Sequence, residues 1–331
     1  MKVLIKQIDN VFKILIFEFF MDAKTLVVTP VYCTKGNQRL PLLLQNIYWV
    51  QKQTHRDFMH VIVDDGSTDE SPEVLDRIAS KRNNVLVVHQ SNKGSSAAIN
   101  VGVEQGLKRY NADYITITHS DDLLTPRSLE VRSSEAINQS SSFVFTDYII
   151  LNEQKKRCDL IRAPVFPDRV ILYESLKKRP EITHPTMFWE RNFFTDSVQG
   201  YDSEMTDSED WDIALRSAAQ LRNGHSFISV PFISSIYRWH EHNLTFQNLR
   251  EGIRWKCQKK MLAKHSEGIE FYRSLLRCGT YILANSLPES VRMYLRPIKY
   301  HLLGRPLEKV PEDLEGFISL TRQVNYREAL I

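Results

Sequence analysis

Short apolar runs rich in β-branched residues alternate with longer amphipathic segments along the first part of the chain. The apolar runs predict buried strands at 25–31, 60–63, 85–88 and 114–118. The segments between them carry apolar side chains at helical spacing, which predicts helices at 40–50, 71–79 and 94–110. Strands that alternate with helices in this way indicate an α/β fold with a mostly parallel central sheet and helices on both faces.

The pattern is less regular after residue 126. A strand is predicted at 143–151 and a helix at 210–221, whereas 164–185 is predicted to be irregular. Beyond residue 243 the chain becomes helical and basic. Between residues 250 and 309 there are thirteen Lys and Arg against five Asp and Glu, although the whole chain carries a net charge of only +3. The positive charge therefore belongs to the C-terminal part, and the rest of the chain is mildly acidic.

The cysteines and the N-terminal segment narrow the class of protein. The four cysteines are far apart and form no C-x-x-C pair, which indicates a reduced protein without a cysteine metal site.

Residues 11–20 are apolar apart from Lys13 and Glu18, and this run is too short to span a bilayer. No small-residue cleavage site follows, as a signal peptide would require. Either translation begins at Met21, or the segment is a short amphipathic extension.

Acidic pairs follow two of the predicted strands. Asp64 and Asp65 come after the second strand, and Asp121 and Asp122 come after the fourth. In parallel α/β sheets, ligands bind beyond the carboxyl ends of the strands. Although the two pairs are far apart in sequence, we therefore expect them to converge on one cleft.

A series of segments resembles, in order and at about the same spacing, the motifs of family 2 glycosyltransferases of the GT-A fold. The segments are VTPVY at 28–32, QTHRDF at 53–58, VIVDDGSTD at 61–69, NKGSSAAINVG at 92–102, HSDD at 119–122, GYD at 200–202 and EDWD at 209–212, followed by Arg216. The resemblance extends over residues 25–245. It implies a GT-A domain that transfers a sugar from a nucleotide-sugar donor to an acceptor hydroxyl with inversion, assisted by a divalent metal (Mn²⁺ or Mg²⁺).

The resemblance also implies a nucleotide site, with UDP as the favoured nucleotide. The residues expected to form it are Pro30, Tyr32, Asp64, Asp65, Lys93 and Asn100. The two carboxylates can accept hydrogen bonds from a nucleobase N–H and a ribose hydroxyl, and Gly66 allows close approach of the backbone. The alternatives are ordinary turn or cap chemistry for the two aspartates and a solvated side chain for Lys93. Ile99 stands where the family commonly has an arginine, which removes one polar contact near the donor.

Asp121 is the residue expected to bind the metal, together with His119. A hard divalent cation on carboxylate oxygen stabilises the negative charge that develops on a diphosphate leaving group. His119 stands where the family usually has the first aspartate of an Asp-x-Asp motif. Its imidazole could coordinate Mn²⁺, hydrogen-bond a phosphate, or fill space. Asp122 either supports the metal site or is a solvated carboxylate.

Asp210 is the expected general base, because an acceptor hydroxyl must lose its proton as it attacks the anomeric carbon. The first turn of a helix would hold this carboxylate ionised. Glu209 is the alternative base. Asp210 could also be an ordinary carboxylate at the start of a helix, with no catalytic role. Weaker candidates for the phosphate or acceptor site, each of which could instead pack in the core or a loop, are His184, Trp211, Arg238 and His240.

The sequence thus predicts four regions: an extension at 1–24, a nucleotide-sugar half at 25–125, an acceptor and catalytic half at 126–245, and a basic helical extension at 246–331. The expected partners are a nucleotide-sugar donor and a glycan or lipid-linked acceptor, in the cytoplasm. The basic extension either lies on an anionic membrane surface or caps the domain. Nucleic acid is not expected. The alternatives are a catalytically silent nucleotide-sugar-binding subunit and a nucleotidyltransferase.

Overall fold

The computed structural model describes residues 23–276, except for residues 38, 155, 223, 241–242, 244–247, 249–251, 267, 269–270, 272 and 275, together with residues 310–330. Most of the predicted N-terminal extension, including Met21, lies outside the described residues. So do residues 277–309 of the predicted basic extension.

Four parallel strands form the first half of the sheet. They are β1 (Thr25–Val31), β2 (Phe58–Asp64), β3 (Val85–His89) and β4 (Tyr114–Ile117), in the order β3-β2-β1-β4. The connecting helices are α1 (Leu40–Gln51), α2 (Ser71–Ala79) and α3 (Ser95–Arg109). Every residue of β1 and β2 is buried, because helices cover both faces of the sheet. The predicted parallel α/β half is confirmed, with each boundary within two residues of its expected place.

The second half continues the same sheet with mixed pairing. Its strands are β5 (Leu123–Leu124), β6 (Phe143–Asn152), β7 (Arg157–Ile161), β8 (Phe188–Glu190) and β9 (Phe227–Trp239). The order continues as β4-β8-β6-β9-β5, and β7 pairs with β6. β8 is antiparallel to both β4 and β6, whereas β6 and β9 are parallel. The predicted division at residue 125 stays a prediction, and one continuous sheet crosses it.

Helices of the second half surround this mixed part of the sheet. They are α4 (Ser128–Asn138), α5 (Arg169–Leu176), a 3₁₀ helix (His184–Thr186), a π-helix (Phe193–Val198), α6 (Glu209–Gln220) and α7 (Ile253–His265). The prediction of irregular backbone over 164–185 is wrong for α5. The carboxylate of Asp168 accepts hydrogen bonds from the backbone N–H groups of Val170 and Ile171, which begins the helix. The long strand β9 and the edge strand β7 were not predicted.

Two further helices lie near the C-terminus, α8 (Glu312–Leu320) and α9 (Tyr326–Leu330). They pack on α1 through aromatic contacts. The rings of Trp49 and Phe317 pack edge to face, with their centroids 4.4 Å apart. Nε1 of Trp49 donates a hydrogen bond to the hydroxyl of Tyr326 at 3.2 Å. This part of the C-terminal region therefore caps the domain. No described helix combines the length and the apolar character needed to cross a membrane.

Candidate active site

The strand order brings the two acidic pairs to the same edge of the sheet. β1 lies between β2 and β4, and all three run parallel, so their carboxyl ends point the same way. Asp64 is the last residue of β2, and the turn at 118–122 follows β4 directly. This edge is where an α/β sheet of this kind binds ligands.

Asp65 holds the loop that precedes α3. Its Oδ1 accepts hydrogen bonds from the backbone N–H of Lys93 at 2.8 Å and from Nε2 of Gln90 at 2.7 Å. Its Oδ2 accepts one from the backbone N–H of Gly94 at 2.8 Å. The side chain of Lys93 is exposed. The carboxylate of Asp65 therefore fixes where the start of α3 stands beside the predicted nucleotide site.

Gly66 explains why the turn after β2 is tight. Its φ is +79°, and a Cβ at this position would lie 2.9 Å from the backbone nitrogen of Asn92. Only glycine fits such a position without strain. The sequence predicted a close approach of the Gly66 backbone, and in the structure this backbone lies close to the loop that contains Asn92.

Asp64 is held by two contacts in the same turn. Its Oδ1 accepts a hydrogen bond from the backbone N–H of Ser67 at 3.0 Å, and its Oδ2 lies 2.8 Å from Nδ1 of His89. The hydrogen bond to Asp64 raises the pKa of His89. A charged His89 would add positive charge beside the nucleotide edge, a contribution that the sequence did not predict.

The remaining predicted nucleotide residues differ in their surroundings. Pro30 is buried within β1, while Tyr32, just after the strand, is 38% exposed and open to a ligand. Asn100 exchanges hydrogen bonds with the backbone of Tyr201: its amide donates to the carbonyl at 2.8 Å, and its Oδ1 accepts from the N–H at 2.9 Å. Asn100 thus ties α3 to the loop that follows the π-helix.

The turn after β4 is held from below by Asn46 of α1. The amide nitrogen of Asn46 donates to Oγ1 of Thr118 at 3.0 Å, to the carbonyl of His119 at 2.9 Å and to the carbonyl of Asp122 at 2.8 Å. Asn46 is fully buried. One asparagine therefore helps to set the shape of the turn that carries both predicted metal ligands, His119 and Asp121.

Asp121 meets residues from the end of β9. Its Oδ2 lies 3.1 Å from Nε2 of His240 and 3.4 Å from the amide nitrogen of Asn243. Burial would raise the pKa of the Asp121 carboxyl, but the hydrogen bond to His240 and the charge of Arg39 hold it below its ordinary value. Asp121 is thus an ionised, buried carboxylate with an imidazole beside it.

The pKa of the neighbouring carboxyl, Asp122, is shifted in the opposite direction from that of Asp121. Burial, and then the charge of Asp121, raises the pKa of Asp122 well above its ordinary value. Oδ1 of Asp122 accepts a hydrogen bond from the backbone N–H of Arg238 at 3.0 Å, and the Arg238 side chain is buried near Glu153. Asp122 therefore joins β9 to the turn, and Nε and Nη2 of the buried Arg238 guanidinium make no hydrogen bond among the described residues, so its role as a phosphate contact stays a prediction.

His119 contacts a different set of residues. Its Nε2 lies 2.7 Å from Nδ1 of His184, and one ligand atom each of His119, His184 and Glu209 lie within 4.8 Å of one another. Burial lowers the pKa of both imidazoles. The two residues predicted to bind metal, Asp121 and His119, thus lie in one turn but have different neighbours.

Glu209 and Asp210 form the first turn of α6. Burial, and then the charges of Asp210 and Asp207, raises the pKa of Glu209 to about 8. Burial also raises the pKa of Asp210 to about 6, although the nearby charge of Arg254 opposes it. Near neutral pH the Asp210 carboxylate is thus mostly ionised and the Glu209 carboxyl mostly protonated.

The start of α6 is fixed by an ion pair with α7. Oδ1 of Asp207 accepts from Nε of Arg254 at 2.9 Å, and Oδ2 accepts from the amide of Asn248 at 3.0 Å. Ser208 follows with a φ of +59°, a left-handed conformation that costs energy in a residue other than glycine. The surrounding contacts therefore hold Glu209 and Asp210 in one place.

Trp211, also in this turn, lies in the core. It is 2% exposed, and its Nε1 donates to the carbonyl of Leu176 at 2.6 Å. A ring buried in this way packs α6 against α5 and does not offer a face to a sugar. The core alternative is the one that fits its surroundings.

Several residues that shape this site were not predicted from the sequence. Asn46 had a signal: it is a polar residue among the apolar positions of α1 that face the core. Asn243, Asp207 and Arg254 had none, because these residues belong to no motif and their partners are distant in sequence.

Comparison with known proteins fits this geometry. The family described as "Glycosyl transferase family 2" matches residues 27–192. The chain is 28% identical over 181 residues to an uncharacterized glycosyltransferase of Rickettsia felis, a match that covers 54% of this chain and 28% of that protein. It is 33% identical over 128 residues to the glycosyltransferase GlyG of Streptococcus pneumoniae, covering 38% of this chain and 40% of that protein.

Solved structures show the same fold. The mannosyltransferase PcManGT of Pyrobaculum calidifontis, in complex with GDP-Man and Mn²⁺, superposes with a TM-score of 0.54 at 14% identity, covering 92% of this chain and 82% of that one. TarS of S. aureus in complex with UDP-GlcNAc superposes with a TM-score of 0.52 at 15% identity, covering 84% and 86%.

The fold is that of a GT-A α/β domain. The chain belongs to glycosyl transferase family 2. It spans 28% or less of the length of the three Rickettsia relatives that it matches.

Proposed function

We propose that this chain transfers a sugar from a nucleoside diphosphate sugar to an acceptor hydroxyl. The observation that carries the proposal is the contact between Asp121 and His240, because it puts a buried, ionised carboxylate and an imidazole at the ligand-binding edge of the sheet. Taken by itself, that contact could also be a structural salt bridge. The neighbouring pair Asp64 and Asp65 at the same edge, together with the family match, favours a donor site.

Asp121 and His240 are the residues that would hold the metal. A carboxylate suits Mn²⁺ and Mg²⁺, and the imidazole favours the transition metal Mn²⁺. The neighbour PcManGT in complex with GDP-Man and Mn²⁺ supports the same choice. A divalent cation bound there supplies positive charge that offsets the negative charge on the departing diphosphate.

Asp210 is the proposed general base, with Glu209 as the alternative. The start of α6 favours an ionised carboxylate at Asp210, and the charge of Arg254 adds to this effect. Glu209 has the higher pKa and is mostly protonated near neutral pH, so it is the weaker candidate. When the base activates the acceptor on the side of the sugar opposite the leaving nucleotide, direct displacement inverts the anomeric carbon.

For the donor, a UDP-sugar is the first candidate. Asp64 and Asp65 would bind the nucleoside from the end of β2, with Tyr32, Lys93 and Asn100 around them. The complex of TarS with UDP-GlcNAc supports UDP, and the complex of PcManGT with GDP-Man makes GDP-sugars the second series to test. The sugar itself follows from that test.

The acceptor is proposed to be a glycan or a lipid-linked saccharide of bacterial surface polysaccharide or glycolipid synthesis. The excess of Lys and Arg between residues 250 and 309 supports peripheral contact with an anionic membrane on the cytoplasmic side. The GT2 relatives of the bacteria Rickettsia felis and Streptococcus pneumoniae are consistent with this setting.

A silent nucleotide-sugar-binding subunit is the second candidate. His119 in place of the family's aspartate, and Ile99 in place of its usual arginine, favour it. A binder has no use for a base, so Asp210 separates the two functions.

The test is release of nucleoside diphosphate from UDP-GlcNAc, UDP-glucose and GDP-mannose with Mn²⁺ and candidate acceptors. The wild type should release one of the diphosphates. Asp210→Asn should bind the same nucleotide but lose release by orders of magnitude. Glu104→Gln, which removes an exposed carboxylate on α3, is the matched control and should behave as the wild type. If Asp210→Asn released as much diphosphate as the wild type, the base assignment would be overturned. If the wild type and both variants bound nucleotide but none released diphosphate, the silent subunit would be favoured.

A further inference from the structure

A second cluster of metal-ligating side chains lies beside the proposed donor site. His119 comes from the turn after β4, His184 begins the 3₁₀ helix, and Glu209 begins α6. One ligand atom of each lies within 4.8 Å of the other two. We propose that these three residues form a cation site separate from Asp121 and His240, which takes a borderline transition-metal ion such as Zn²⁺.

The ligand set determines the kind of ion. Two imidazoles and one carboxylate are a common three-residue set for Zn²⁺, which leaves a fourth position for water or another ligand. Mg²⁺ and Ca²⁺ prefer oxygen ligands throughout. The cluster offers two imidazoles where Asp121 and His240 offer one, so its preference is shifted further towards Zn²⁺.

His184 is 5% exposed, and its two ring nitrogens have different surroundings. Nδ1 faces His119, whereas Nε2 has no hydrogen-bond partner among the described residues. A neutral imidazole coordinates a metal through one nitrogen and keeps its proton on the other. Nδ1 is therefore the nitrogen of His184 that would bind the ion.

The elements that carry the ligands are held in place by other side chains. Nη1 of Arg132 donates to Oγ1 of Thr116 at 2.9 Å and to the carbonyls of Pro185 and Met187 at 3.3 Å. These bonds fix the 3₁₀ helix against β4. The contact of Asp207 with Arg254 fixes the start of α6. Such support around the ligands is typical of metal sites.

Coordination requires one local change. Nε2 of His119 and Nδ1 of His184 are 2.7 Å apart, the length of a hydrogen bond. Two nitrogens on one tetrahedral Zn²⁺ stand about 3.3 Å apart. The two rings must therefore separate by about 0.6 Å, which small side-chain rotations provide. A bound ion would link the turn after β4, the 3₁₀ helix and the start of α6.

Visible absorption of Co²⁺, the usual spectroscopic substitute for Zn²⁺, tests the site in the full chain. The wild type should give the intense bands of a tetrahedral cobalt centre, and Zn²⁺ should displace them. His184→Gln and Glu209→Gln should each weaken Co²⁺ binding by roughly tenfold or more. Asp121→Asn should keep the cobalt bands, so that this result is independent of the proposed donor site.

Thermal unfolding checks that the variants are folded. Zn²⁺ should raise the Tm of the wild type, because an ion that binds only the folded chain stabilises it, and it should leave the Tm of folded His184→Gln unchanged. Cobalt bands that vanish in Asp121→Asn but persist in His184→Gln would overturn the proposal. So would the absence of Co²⁺ and Zn²⁺ binding in the wild type.

Discussion

Nε2 of His240 lies 3.1 Å from Oδ2 of Asp121, although 119 positions separate the two residues in sequence. The contact joins the turn after β4 to the residue that follows β9. Because the imidazole helps to hold the carboxyl of Asp121 ionised, the two residues act as one unit. The proposed metal-dependent donor site at Asp121 would therefore depend on the end of β9 as well as on the acidic motif.

Replacement of the imidazole tests this dependence. His240→Asn should weaken Mn²⁺-dependent binding of the donor nucleotide by roughly tenfold or more, since one nitrogen ligand is removed. Calorimetry of the nucleotide with Mn²⁺ measures it. His225→Asn is the matched control, because His225 contacts Ser142 and Ser197 away from this edge. Equal weakening in both variants would mean that loss of any histidine, and not of this contact, causes the change.

Asn46 should act on the turn at 118–122 through its backbone, without contacting the side chain of a proposed metal ligand. Asn46→Ala removes the donor to Thr118, His119 and Asp122, so the turn should loosen and Mn²⁺ affinity should fall. A loss of stability of about 1–3 kcal/mol is expected as well, because buried carbonyls lose their partner.

Gln53→Ala separates these two effects. Gln53, two residues after the end of α1, is also buried, and its side-chain amide donates to the carbonyls of Trp49 and Thr125 outside the turn at 118–122. It should lose similar stability in denaturant unfolding but keep its Mn²⁺ affinity in calorimetry. If Gln53→Ala loses the same affinity as Asn46→Ala, Asn46 has no specific role in positioning the turn.

The pH dependence of transfer should report the base. Burial raises the pKa of Asp210 to about 6. A base works only when deprotonated, so kcat/KM should fall as the pH drops through about 6 and not near the ordinary value of an aspartate. A profile that stays flat down to about pH 5 would contradict the assignment. A fall centred near pH 8 would point to Glu209 instead.

Two glycines with positive φ should respond differently to alanine. Gly66 has a φ of +79° and a backbone nitrogen 2.9 Å from the added Cβ, whereas Gly94 has a φ of +88° and open space. Gly94 also has a ψ of 161°, a combination that essentially only glycine adopts, so Gly94→Ala should cost about 1–3 kcal/mol of unfolding free energy from conformation alone. Gly66→Ala should cost more, because the backbone of Asn92 cannot move aside easily. Denaturant midpoints compare them, and equal losses would show that the turn adapts.

The first half of the fold could be predicted because its signals are local. The apolar runs of β1 to β4 and the spacing of α1 to α3 lie in continuous segments, and a buried parallel sheet requires that pattern. α5 could not be predicted in this way, since one carboxylate, that of Asp168, determines where it begins. β9 was missed because its polar positions, such as Ser234 and Ser235, are buried by pairing with β6 and β5.

In the candidate site, too, the residues with local sequence signals could be predicted and the long-range contacts could not. Asp64, Asp65 and Asp121 were named from motifs at strand ends, and strand order brings them to one edge. Whether they bind donor and metal stays a prediction. The neighbours of each side chain were not foreseeable, because contacts such as Asp121 with Asn243 depend on long-range packing.

Calorimetric titration of UDP, GDP and dTDP, with and without Mn²⁺, tests the central claim most directly. We expect one nucleotide, UDP first, to bind the wild type and Glu104→Gln only when Mn²⁺ is present. Asp121→Asn should lose that metal-dependent binding. Binding that is the same in Asp121→Asn as in the wild type, or that needs no metal, would contradict the account of Asp121 as the metal ligand of a nucleotide-sugar site.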